Sequence, residues 1–161
     1  MEKYLRLLNP KTTNYESTGG GSHGALTKED VLLAMSYARL TPAQDTLIKC
    51  MIGNCTAEGI KQVSYKLISM YTIRDEHTSS SDHNGKIAFK VAMLELFACP
   101  ANYQPSYRNR ASLIGMSHMH VKRVLDHLID DFKGQLEKDL KHAVDKISKQ
   151  LKNHLKVDLI T

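Results

Sequence analysis

The chain has 161 residues, 42% of them hydrophobic, and a formal net charge of +5, which suits one soluble domain with a real core. No apolar run approaches the roughly 18–20 residues that span a bilayer, and the N-terminal "MEKYLRLLNPKTTNYE" lacks the apolar stretch of a signal peptide, so a cytoplasmic protein without membrane contact is expected. The three cysteines, Cys50, Cys55 and Cys99, include no C-x-x-C pair, which points to buried thiols in a reducing compartment and away from disulfides or a zinc knuckle.

Residues 1–25 read as a flexible N-terminal arm, because "NPKTTNYESTGGGSHGA" is rich in Gly, Ser, Thr and Asn. Helix signals then follow one another through residues 26–161, expected as one all-helical domain. In "LTKEDVLLAMSYARL" Thr27 is the N-cap, acids occupy the first turn, and Val31, Leu32, Met35 and Ala38 line one side. "TPAQDTLIKCMIGN" has Thr41 as N-cap, Pro42 at the first helical position, Gln44 completing a capping box and Gly53 as the stop. "TAEGIKQVSYKLISMY" starts again at Thr56 and should bury Ile60, Val63, Leu67, Ile68 and Tyr71. The polar loop "IRDEHTSSSDHNG" leads to "KIAFKVAMLELFAC", an apolar helix expected at the centre of the core and closed by Pro100 and "ANYQPS". No segment reads convincingly as a strand, so the fold class is all-α: a multi-helix domain with a long amphipathic C-terminal helix.

Charge is unevenly placed. Residues 106–123 carry Arg108, Arg110, Lys122 and Arg123 and no acid, whereas residues 124–132 carry Asp126, Asp130 and Asp131 and no Lys or Arg. Residues 133–156 are again positive, with seven lysines against Glu137, Asp139 and Asp145. Basic clusters of this kind suit a polyanion partner, although a solvated helix face has the same composition.

The first basic block contains "RASLIGMSHMHVKRVL". A helix-turn-helix needs a small residue in its first helix, a residue that tolerates positive φ in the turn, and a branched apolar residue in the second helix. Ala111, Gly115 and Val121 supply these, and Leu113, Ile114, Val124, Leu125 and Leu128 are expected to form the shared core, with Ser106 and Ser117 as helix caps. The predicted helix-turn-helix spans 106–130. At about 100° per residue, Met119, Lys122, Arg123, Asp126 and His127 lie opposite Val121, with His118 at the helix entrance. His118, Met119, Lys122 and Arg123 are therefore the candidates to face DNA bases, since helices of this class read base edges near their N-termini. Arg108, Arg110 and Ser117 are the candidates to hold phosphates, and the aspartates from 126 onward mark where the helix should leave the groove.

The C-terminal helix, expected at about 133–156, carries Leu136, Leu140, Val144, Ile147, Leu151 and Leu155 in one stripe, which should dock on the protein's own core or on a second protomer. His118, His120 and His127 are not spaced as a metal site, "GGGSHG" lacks the lysine of a phosphate-binding loop, and His77 and His83 fall in the polar loop. No cofactor or metal is expected, and an enzyme is the least supported class.

From "LTKEDVLLAMSYARLTPAQDTLIKCMIGNC" to "VKRVLDHLIDDFKGQLEKDLKHAV" the chain resembles the late-gene antitermination proteins Q of lambdoid phages, of the phage-21 type. "EDVLLAMSYA" also looks like a stretch of the lambda type, whose paired-cysteine zinc motif this chain lacks. The resemblance implies a protein that binds double-stranded DNA beside a phage late promoter and transfers to bacterial RNA polymerase paused there with its sigma factor. It then acts at the RNA exit region, so that polymerase passes pauses and terminators. Nascent RNA and a second protomer on DNA are further candidate partners. The competing reading is a helical interaction module that binds no DNA and uses its basic surfaces for RNA or protein contact.

Overall fold

The computed structural model describes residues 8, 27–53, 55–71, 83–99 and 103–157, with side chains through 153. All regular structure among them is helical. The contacts divide the chain into two units, residues 1–53 with 139–161 and residues 54–138.

In the first unit, α1 (Lys28–Tyr37) and α2 (Pro42–Ile52) each start at a reciprocal capping box. The Asp30 N–H donates to Thr27 Oγ1 at 3.2 Å while the Thr27 N–H donates to Asp30 Oδ2 at 2.8 Å. Thr41 and Gln44 repeat the arrangement, and each box satisfies donors that a helix start leaves orphaned. Gln44 Oε1 also accepts from Lys146 Nζ at 2.9 Å. Val31, Ala34, Ala38 and Ile48 form a buried cluster with Ala143, Ile147 and Leu151, joined by Leu8. Apart from Leu8, the expected N-terminal arm lies outside the described residues. Leu32, expected inside, is exposed. Apolar residues surround α1 on several sides, so periodicity alone could not choose its inner face.

The second unit is built around α4 (His83–Phe97), which buries Ala88, Phe89 and Val91 through Glu95. His83, expected in the polar loop, opens this helix; His77 and Pro100 lie outside the described residues. Helix α3 (Ala57–Leu67) is capped by Thr56 and continues as a 3-10 turn, Ile68–Met70. It buries Ile60, Leu67 and Ile68, with Tyr71 buried just beyond and Val63 half-buried. The Phe89 ring lies 5.2 Å from Tyr71 and meets Phe132 edge-on at 5.1 Å.

Beyond α5 (Tyr107–Ile114), the chain is helical without interruption from His118 to Val157. It runs through α6 (His118–His120), a π-helical turn (Val121–Leu125) and α7 (Asp126–Val157). Two elements are expected here, at 106–130 and about 133–156, and Gly134 stands near the start of the second. Ile129, Phe132 and Leu136 are buried on both sides of Gly134, and such burial outweighs the roughly 1 kcal/mol helix penalty of one glycine. Residues of α7 through Lys138 belong to the second unit and those from Asp139 to the first. There Ile147 and Leu151 of the C-terminal stripe are buried beside Ala143, and Leu140 and Val144 are partly buried against the same cluster. No described helix is long and apolar enough to cross a membrane.

Candidate nucleic-acid interface

Helix α5 starts at Ser106, whose Oγ accepts from the Asn109 N–H at 3.1 Å. It stops at Gly115, which adopts φ 69° and ψ 29°. That left-handed conformation is costly for any residue with a Cβ, and it lets the Gly115 and Met116 N–H groups both close on the Ala111 carbonyl. Ser117 then caps α6 by accepting from the His120 N–H at 3.2 Å. Ala111, Val121, Leu125 and Leu128 are buried, and α5 packs against α6 and the π turn. Leu113, expected in this shared core, is 52% exposed instead. Ile114 and Val124 are half-buried.

His118, Met119, Lys122 and Arg123 are all exposed, as is Arg108 on α5. Lys122 Nζ lies 5.9 Å from the centre of the Tyr107 ring, within cation–π range. Tyr107 was not singled out from the sequence. An aromatic residue inside an acid-free basic stretch was the available signal.

Arg110, a phosphate candidate by sequence, is instead buried: only 6% of its side chain is exposed and its donors are taken by protein carboxylates. Its Nε and Nη2 grip Glu95 Oε1 and Oε2 at 2.7 and 2.8 Å. Nη1 donates to Asp126 Oδ1 at 2.5 Å, and Nη2 also reaches Asp130 Oδ1 at 3.1 Å. Lys133 Nζ joins the network through Glu95 Oε2 at 3.2 Å. Burial acts to lower the Arg110 pKa, but hydrogen bonding to Glu95 and its charge, followed by Asp130, outweigh it and hold the guanidinium above its ordinary value. A buried arginine is stable only when paired in this manner.

The same network changes the reading of the aspartates. Asp126 was placed on the exposed side by a uniform 100° advance, yet it is partly buried and turned onto Arg110. Between Val121 and Asp126 the helix is wound more loosely, with the Asp126 N–H donating to the Val121 carbonyl five residues back. The smaller advance per residue in a π turn shifts Asp126 towards the Val121 side. Glu95 was also missed. Its signal was a lone acid inside the apolar run "VAMLELF", a buried charge that must have a partner.

Among the described residues, no group of three or more His, Cys, Asp or Glu side chains is arranged to hold a metal ion. Comparison with known protein families, characterised proteins and solved structures finds no match for this chain.

Proposed function

We infer that this chain is a transcription antitermination factor that enters its pathway as a sequence-specific DNA-binding protein. On this reading the corner at 106–130 is a helix-turn-helix, and His118, Met119, Lys122 and Arg123 face the bases while Arg108 holds phosphate. What supports it is the exposed face of the first turns after Gly115. That face carries Lys122 and Arg123, while two of the three nearby aspartates are turned onto a buried arginine. A surface whose cations Lys122 and Arg123 stand exposed while Asp126 and the exposed Asp130 are paired with Arg110 suits the phosphate-lined groove of a duplex. The later steps, loading onto sigma-containing RNA polymerase paused near a late promoter and read-through of pauses and terminators, rest on the family resemblance.

Fluorescence anisotropy with a late-promoter duplex and a scrambled duplex of equal length tests the DNA step. Preference for the first duplex is expected, and equal affinity for both would leave the helical interaction module as the better reading. Exposed Leu113 and Met119 would suit that alternative. Run-off transcription across a terminator tests the second step: read-through should require both the protein and its DNA site.

A further inference from the structure

We propose that Arg110 is a positioning residue that holds the π turn at Val121–Leu125 and thereby sets the rotation of His118–Arg123 about the helix axis. The inference rests on the DNA-binding reading above and names what fixes the register of that site. Three observations converge on it.

First, Arg110 of α5 joins two other helices at once. Glu95 comes from α4, and Asp126 and Asp130 come from the first turns of α7. Second, the wide turn ends at Asp126 itself. The backbone N–H of Asp126 closes the five-residue bond to Val121 while its side chain accepts from Arg110. Third, the residues anchored in the core lie within the turn and after it, Val121 and Leu125 in the turn and Leu128, Ile129 and Phe132 beyond it, whereas His118 and Met119 before it are exposed. Downstream burial fixes α7, so a change in winding must appear upstream, in the segment that carries Met119, Lys122 and Arg123.

A π turn holds one more residue than an α turn and is rare without a cause that retains it. If the anchor at Asp126 is released, the turn can tighten to the ordinary four-residue pattern. The upstream segment then rotates against α7 by up to about 100°, the advance of one residue. Lys122 would leave the Tyr107 ring, and the four exposed side chains would meet a different line along the groove. Arg110 thus acts on DNA through winding, not through contact.

Two variants test this without depending on one fold-breaking change. Asp126→Ala removes the anchor but leaves the buried Arg110–Glu95 pair intact. The double variant Arg110→Met with Glu95→Met removes the buried pair together. Trans-hydrogen-bond scalar coupling measured by NMR identifies the carbonyl bound by the amide at position 126. In the parent it should be Val121, and in both variants it should move to Lys122. If Val121 remains the partner in both, Arg110 does not set the turn.

Anisotropy then reads the consequence. Loss of the Asp126 charge alone would tighten binding to every duplex. Loss of position should instead weaken the late-promoter duplex by about tenfold relative to the scrambled one, the scale of one good base contact. A moved coupling with an unchanged specificity ratio overturns the assignment of DNA register to this turn. If the parent does not distinguish the duplexes, the DNA-binding reading fails and the register assignment falls with it. The coupling then decides the winding role by itself.

Discussion

Arg110 and Glu95 form the most demanding pair among the described residues, because each is an ionised group almost withdrawn from water. Replacing Arg110 alone with Met would leave the Glu95 carboxylate buried with only Lys133 beside it. A loss of about 3–5 kcal/mol in urea denaturation is expected. The paired change Arg110→Met with Glu95→Met should recover most of that loss, since the two deeply buried charges leave together and Asp126, Asp130 and Lys133, which lose a partner, keep contact with water. Cys99 senses the same cluster. Burial pushes its thiol pKa up, the Glu95 charge raises it further, and Lys133 partly offsets both. Less thiolate therefore exists at a given pH than in an open peptide, and Cys99 should react slowly with iodoacetamide at pH 8. Lys133→Met removes the offset, so labelling followed by mass spectrometry should become slower still; faster labelling would contradict the assigned charges. On the DNA side, Arg123→Ala should cost about 1–3 kcal/mol on the specific duplex. Arg108→Ala should weaken all duplexes alike and reduce the salt slope by about one.

At the scale of elements, two glycines make opposite predictions. Gly115 holds φ 69°, and a Cβ there would meet nothing within 4 Å. The penalty of Gly115→Ala is therefore conformational, about 1–2 kcal/mol, and thermal denaturation should register it as a loss. Gly134 lies inside α7, exposed, also with nothing within 4 Å of an added Cβ. Gly134→Ala should stabilise by about 0.5–1 kcal/mol, because alanine loses less backbone entropy in a helix. The starts that a side chain caps were legible in the sequence. Thr27, Thr41, Thr56, Ser106 and Ser117 all cap as their spacing predicts, because a cap bonds within three residues and needs no distant partner. The continuity of α6, the π turn and α7 was not legible. Local propensity marks Gly134 as a weak point, and only burial on either side carries the helix through it.

For the whole chain, the apolar pattern identified an all-helical protein and most of its interior. Ile147 belongs to the cluster of the first unit, fully buried among Val31, Ala34, Ile48 and Leu151. Ile147→Ala should therefore cost about 2–5 kcal/mol in chemical denaturation, depending on how far the site collapses. The charge pattern identified the basic stretch at 106–123 as the place to look, but it counted Arg110 as a surface cation. Its partners lie 15, 16 and 20 residues away in the chain, beyond the reach of any local rule. By itself, the sequence determined the helical class, the five helix starts capped by Thr27, Thr41, Thr56, Ser106 and Ser117, and the left-handed turn at Gly115, because each follows from interactions within a few residues. Tertiary structure alone decided which apolar side chains remain outside, which cation is buried, and how the helix is wound between Val121 and Asp126. Those outcomes depend on burial and charge pairing between distant segments, and these exist only once the chain has packed.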